Sequence, residues 1–120
     1  MDERWIVLLY ADERGREHVR EWLEMLERTA PKEYGVVTHQ IDLLEEFGPI
    51  LSEPHTKQLR GKLRELRAGR WRVTYFMDPL RQIVLLTSFS KVGQRTPVRE
   101  VARAERAMKD WMGRHKRRSH

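Results

Sequence analysis

A chain of 120 residues with 39% hydrophobic and 35% charged side chains has room for one domain with a single core, and no stretch approaches the roughly 20 apolar residues that cross a bilayer. It contains no cysteine, which excludes disulfides and thiolate chemistry; together with a start, Met1-Asp2-Glu3, that lacks the basic region of a secretory leader, this predicts a cytoplasmic home. The net charge of +6 is uneven: residues 1–60 hold 8 Lys and Arg against 13 Asp and Glu, net −5, and residues 61–120 hold 16 against 5, net +11. The second half is therefore the expected working surface, and a polyanion, nucleic acid first, the expected partner.

Residues 5–10 (Trp-Ile-Val-Leu-Leu-Tyr) predict a strand buried on both faces, ended by Ala11-Asp12-Glu13-Arg14-Gly15. From about Arg16 the period changes, with Val19, Trp22, Leu23 and Leu26 on one helical stripe, and Thr29-Ala30-Pro31 ends it. A second stripe, Val37, Ile41, Leu44 and Phe47, stops at Gly48-Pro49, so the two helices form an antiparallel hairpin with acidic charge outside. After a loop (50–56), residues 62–67, 71–77 and 82–89 read as three strands joined by Ala68-Gly69-Arg70 and Asp78-Pro79-Leu80-Arg81, an antiparallel meander. Thr96-Pro97 reads as an N-cap and first-turn proline for a last helix whose apolar face (Val101, Ala104, Met108, Trp111) runs to Gly113. The fold class is α+β, one domain over residues 1–113, with 114–120 a disordered basic tail.

The chemistry concentrates in the meander. Side chains at 63, 65 and 67 share one strand face, which puts Glu65 and Arg67 about 7 Å apart on one side. Arg72, Thr74 and Phe76 share a face of the next strand, and Arg72 at its start can bring a second guanidinium beside Arg67. Paired guanidiniums suit a phosphate, because each planar fork donates bidentate hydrogen bonds and keeps its charge. Lys57 before the sheet and Lys91 and Arg95 after it add charge to the same concavity, and His55, two residues from Lys57, is a candidate general base. Alternatives stand beside these readings: a plain surface ion pair for Glu65–Arg67, a loop-bonding role for Arg72, and a solvated or protein-facing stripe for Arg99, Arg103 and Arg106. Trp71, Tyr75 and Phe76 are either base-stacking aromatics or core. His18, His39, His115 and His120 are scattered without a second ligand, and no Gly-rich phosphate loop or paired-ligand spacing occurs, so neither a metal nor a nucleotide cofactor is expected.

The run Glu53-Pro54-His55-Thr56-Lys57-Gln58-Leu59-Arg60-Gly61, then Leu63-Arg64-Glu65-Leu66-Arg67, Trp71-Arg72-Val73-Thr74-Tyr75, Phe89-Ser90-Lys91 and Gln94-Arg95-Thr96-Pro97 resembles the RelE/ParE toxin superfamily, in its HigB-like, phage-related branch. The resemblance implies a RelE-like fold, an N-terminal strand and helical hairpin followed by a three-stranded antiparallel meander and a C-terminal helix. It further implies the toxin of a type II toxin–antitoxin system, an endoribonuclease that cuts mRNA on ribosomes without a metal and is held by a cognate antitoxin. Residue by residue it makes Lys57 and Arg67 the phosphate and transition-state ligands, Arg72 a second guanidinium and Lys91 the first residue of the family's basic motif; His55 joins this catalytic set as the candidate base, and Arg60, Lys62, Arg95 and Arg99 are the expected contacts to RNA. Two positions depart from the family pattern: Val92 stands where a second lysine is common, and Thr87 where a histidine is often found. The alternatives are a ParE-like inhibitor of DNA gyrase on the same scaffold and a non-catalytic RNA-binding module.

Overall fold

The structure is a computed structural model in which residues 4–115 are described. Its elements, in chain order, are β1 (Ile6–Leu9), α1 (His18–Thr29), α2 (Pro31–Phe47) with a short 3-10 turn at Gly48–Ile50, β2 (Thr56–Arg60), β3 (Leu63–Ala68), β4 (Trp71–Asp78), β5 (Gln82–Ser90) and α3 (Val98–His115). The five strands form one sheet in the order β1-β5-β4-β3-β2, antiparallel except for the parallel β1–β5 pair. The chain thus leaves β1 at one edge, passes through the α1–α2 hairpin to the opposite edge, and meanders back until β5 lies beside β1. The class is α+β, as the sequence predicts, with a four-stranded meander rather than three.

The added strand is β2. Its residues Lys57, Gln58 and Arg60 are exposed and Leu59 only half-buried, so no apolar alternation marks it. It exists because its backbone pairs with β3, Thr56 opposite Leu66 and Lys57 opposite Glu65, a bond pattern that side-chain periodicity does not encode. Strand β1 also differs from expectation. It pairs only with β5, so it is an edge strand, with Ile6 55% exposed and Val7 to Leu9 half-buried.

The sheet separates two apolar layers. On one face Val19 of α1 and Leu44 of α2 pack with Leu66, Val73, Tyr75, Ile83 and Leu85, and Leu26 and Val37 pack over Ala68. The start of α1 therefore meets the end of α2, and its end meets the start of α2, with only Ala30 between the helices. On the other face Ala104, Ala107, Met108 and Trp111 of α3 cover Leu63, Phe76, Val84 and Leu86. Strand alternation sends the odd residues of β4 to the hairpin and the even ones to α3. The acidic α1–α2 hairpin and the basic helix α3 consequently lie on opposite faces of the sheet. Among the described residues no helix is long and apolar enough to cross a membrane.

Helix α3 departs from the expected limits at both ends. Pro97 precedes the first helical residue and its carbonyl accepts the Val101 N–H, while the Thr96 hydroxyl turns elsewhere. At the far end the helix passes through Gly113 to His115, whose ring stacks on Trp111 with centroids 3.9 Å apart. Arg114 and His115 are thus helical, and the remainder of the expected tail lies outside the described residues.

Two contacts fix the layers and can be tested. Gly48 has φ +53°, and a Cβ there would lie 2.3 Å from the Trp5 indole nitrogen. Gly48→Ala combines left-handed strain with overpacking and is expected to cost about 2–4 kcal/mol in urea denaturation. Tyr10, just past β1, donates its hydroxyl to Asp110 Oδ2 at 2.5 Å, and Arg114 one turn later holds the same oxygen at 2.7 Å. Burial, reinforced by the Asp110 carboxylate, pushes the Tyr10 phenol up to about 12. The neutral phenol is the form the fold favours, so its stabilisation is complete below the unfolded value of 10.0 and disappears as pH rises toward 12. Tyr10→Phe is expected to flatten stability against pH in that window and to remove a tyrosinate that titrates at about 12 from an ultraviolet titration.

Candidate functional site

The two-residue turn Gly69-Arg70, with φ +62° at Gly69, closes the β3–β4 hairpin so that Ala68 faces Trp71 and Arg67 faces Arg72. A left-handed first turn position is the geometry of a type II′ hairpin, which glycine adopts without a Cβ penalty. Two rows of paired residues then cross the sheet on the α3 side: Arg67, Arg72 and Phe89 in one, and Lys57, Glu65, Thr74 and Thr87 in the next. Neighbouring strands put such side chains about 5 Å apart. Helix α3 covers the other end of this face, through Leu63 and Phe76, and these rows lie near its start.

Glu65 is the centre of the cluster. It is 1% exposed. Its Oε2 lies 3.5 Å from Arg67 Nε and 4.0 Å from Arg72 Nε, and its Oε1 accepts the Thr96 hydroxyl at 2.8 Å. The convergence of two guanidinium groups expected from sequence is present, and the two arginines differ in what remains free. Arg72 is 12% exposed at its side chain and spends Nη1 on the carbonyls of Gly69 and Trp71, at 2.8 and 2.9 Å. Its burial, with Arg67 beside it and only partly offset by Glu65, holds its pKa below the ordinary guanidinium value. Arg67 is 26% exposed and bonded through Nε alone, which leaves its terminal fork without a partner among the described residues. Arg67 is the open guanidinium and Arg72 stands behind it.

Around this pair, Lys57 is exposed on β2 opposite Glu65, and neither it nor Lys91 or Arg95 has an ion-pair partner among the described residues. Lys91 is held at the rim by its backbone, whose N–H donates to the Arg70 carbonyl at 2.6 Å. Arg99, on the first turn of α3, is 75% exposed at its side chain and lies 3.9 Å from Glu100. The structure brings Lys57, Arg67, Arg72 and Lys91 to one end of the sheet. It puts Arg60 and Lys62 at the other end, by the β2–β3 turn, where Arg60 Nη1 pairs with Glu105 of α3 at 3.1 Å. Arg103 is likewise spoken for, by Glu100 and the Ser88 carbonyl, whereas Arg106 is exposed and unpaired among the described residues.

His55 is turned toward the helical hairpin. The Gln40 carboxamide nitrogen of α2 reaches His55 Nδ1 at 3.1 Å and the Arg67 carbonyl at 2.8 Å. A carboxamide nitrogen only donates, so Nδ1 is the acceptor and the proton of a neutral ring sits on Nε2. In this arrangement His55 offers a donor, not the lone pair of a base. The two departures from the family pattern also have places: Thr87 is 4% exposed and hydrogen-bonded to Thr74 at 2.5 Å, while Val92 is 75% exposed. Trp71 packs edge-on to Trp22 and donates to Glu33, and Tyr75 and Phe76 are buried, so these aromatics are core rather than a base-stacking platform.

Gln40 and Thr96 also belong to this cluster, and no sequence pattern marks them as part of it. Gln40 acts across 27 residues from an exposed-looking helix, with no local signal. Thr96 has the sequence signature of a helix cap, which conceals its bond to Glu65.

The family profile described as "Phage derived protein Gp49-like (DUF891)" matches residues 21–109, a span that contains the whole cluster. Over 89 residues the chain is 34% identical to a Mycobacterium tuberculosis protein named "Putative toxin HigB2". That match covers 67% of this chain and 43% of the relative, so the chain spans less than half of that protein's length.

Proposed function

The chain belongs to the Gp49-like family of phage-derived proteins, and from that premise we propose that it is the toxin of a type II toxin–antitoxin pair, a metal-independent endoribonuclease acting on mRNA engaged by ribosomes. The observation that carries this reading is the Arg67 fork, open among the described residues, backed by Arg72 and flanked on one sheet face by Lys57, which has no ion-pair partner among those residues. Such a face suits a phosphodiester whose charge rises as it reacts. The ribose 2′-oxygen bonds to phosphorus, the bond from phosphorus to the 5′-oxygen breaks, and a 2′,3′-cyclic phosphate and a 5′-hydroxyl result. Arg67 holds the non-bridging oxygens, where the extra charge develops and where a fixed donor helps most. The 2′-hydroxyl proton passes to water, and Lys57 acts as the acid that protonates the departing 5′-oxygen. The need for a 2′-hydroxyl restricts the substrate to RNA. The exposed cations Lys91, Arg95 and Arg99 attract the flanking backbone, and the cognate antitoxin is the expected protein partner.

The test is to add the purified protein to a translating extract with a defined mRNA and map new RNA ends by primer extension. Cuts within the translated frame that require ribosomes are the expected result. Intact mRNA together with loss of gyrase supercoiling in a parallel assay would replace this reading with the gyrase-directed one.

A further inference from the structure

We propose that Glu65 is a positioning residue of the Arg67 site: its buried carboxylate holds two cross-strand guanidinium groups side by side and latches to them the segment that carries Lys91 and Arg95. The proposal rests on the reading of this face as an RNA phosphate site.

Directly opposed like charges on neighbouring strands repel, and the pairing of Arg67 with Arg72 at the β3–β4 turn forces that opposition. Glu65, one row inward, lies within 4.0 Å of both Nε atoms and supplies the compensating charge. Both arginines meet it along their inner edge, and this determines where the rest of each group points. Arg72 is pinned by Gly69 and Trp71, whereas Arg67 keeps its two terminal nitrogens for a ligand. The other carboxylate oxygen holds Thr96, and Thr96 ends the segment from Lys91 that leads into α3. One side chain thereby couples the sheet cations to the loop cations.

Glu65 is not itself the base. Both its oxygens face donors, and at 1% exposure it has no route to a substrate hydroxyl. Its charge works against anion affinity while its geometry serves the reaction. Glu65→Gln in the full chain therefore separates the two: the neutral amide adds net positive charge to the pocket and releases the Arg67 fork.

The expected result for Glu65→Gln is a fall of about 100-fold in the rate of mRNA cleavage in the translating extract, the scale of a roughly 1 Å misplacement. Affinity for inorganic phosphate, read from the Arg67 Nε–H signal by NMR, should hold or tighten, and that proton should exchange with water faster than in the wild type. Cleavage and Nε–H exchange both at wild-type levels would overturn the proposal, as would phosphate affinity falling in step with cleavage. Should Glu65→Gln fail to fold, Thr96→Val decides through the latch alone, since it leaves every charge in place. Reduced cleavage with unchanged phosphate affinity supports the role, and wild-type cleavage refutes it. If the wild-type protein does not cut RNA, the ribonuclease reading falls, and the exchange and phosphate measurements still judge Glu65 by themselves.

Discussion

On the proposed ribonuclease function, Arg67→Ala is expected to lower ribosome-dependent mRNA cleavage by about 100-fold or more while the protein stays folded and keeps its affinity for the proposed antitoxin. The size follows from the geometry, because Arg67 holds the one open guanidinium fork of the pair and Arg72 has already spent its bonding on the turn carbonyls. Its loss leaves Glu65 with Arg72 as a charge partner and with the Thr96 hydroxyl, so no buried carboxylate is stranded. The side chain is also 26% exposed, which keeps the loss of packing small. Primer extension with the variant, alongside circular dichroism and co-purification, measures each part. Cleavage retained by Arg67→Ala would show that the phosphate is held elsewhere and would remove the site from this face.

Phe76→Ala is expected to destabilise the fold by about 3–5 kcal/mol, the cost of emptying a large site in a packed core. Phe76 is 1% exposed on the face of the sheet that carries the cluster, and its ring meets Trp111 of α3 edge-on with centroids 5.6 Å apart. Domains of this size hold only about 5–15 kcal/mol in all, so one such cavity consumes a large share. The damage should also reach the cluster, because α3 begins just after Thr96 and a loosened helix no longer holds that residue on Glu65. Urea denaturation followed by tryptophan fluorescence gives the stability change. A loss below about 1 kcal/mol would mean that α3 does not depend on this contact.

The elements with strong side-chain patterns were legible in the sequence. The stripes Val19–Leu26 and Val37–Phe47 correspond to α1 and α2, and the alternation of Trp71, Val73, Tyr75 and Met77 against Arg72, Thr74 and Phe76 divides β4 between the two layers as observed. The polar strand β2 was not legible, since three of its five residues are exposed and its reason for existing is a backbone ladder to β3. Without a pattern for β2, the place of Lys57 opposite Glu65 is not legible either. The cluster was legible in part: Arg67 and Arg72 could be paired from strand parity and a short turn, whereas Arg60 and Lys62 are close to Lys57 in sequence and at the far end of the sheet in space. His55 kept its proximity to Lys57 along the chain, but the Gln40 amide turns its ring away from the role of base.

By itself the sequence determined the three helices, the turns that join β3 to β4 and β4 to β5, and the separation of acidic from basic charge along the chain. Each of these follows from local rules of periodicity, glycine and proline stereochemistry, and ionisation. Tertiary structure alone decided that β1 joins β5 in parallel, that β2 completes the sheet, and that Thr96 and Gln40 serve the cluster. Those outcomes depend on which backbone edges and polar groups meet after collapse. Buried donors and acceptors must then find partners across long sequence separations that no local pattern records.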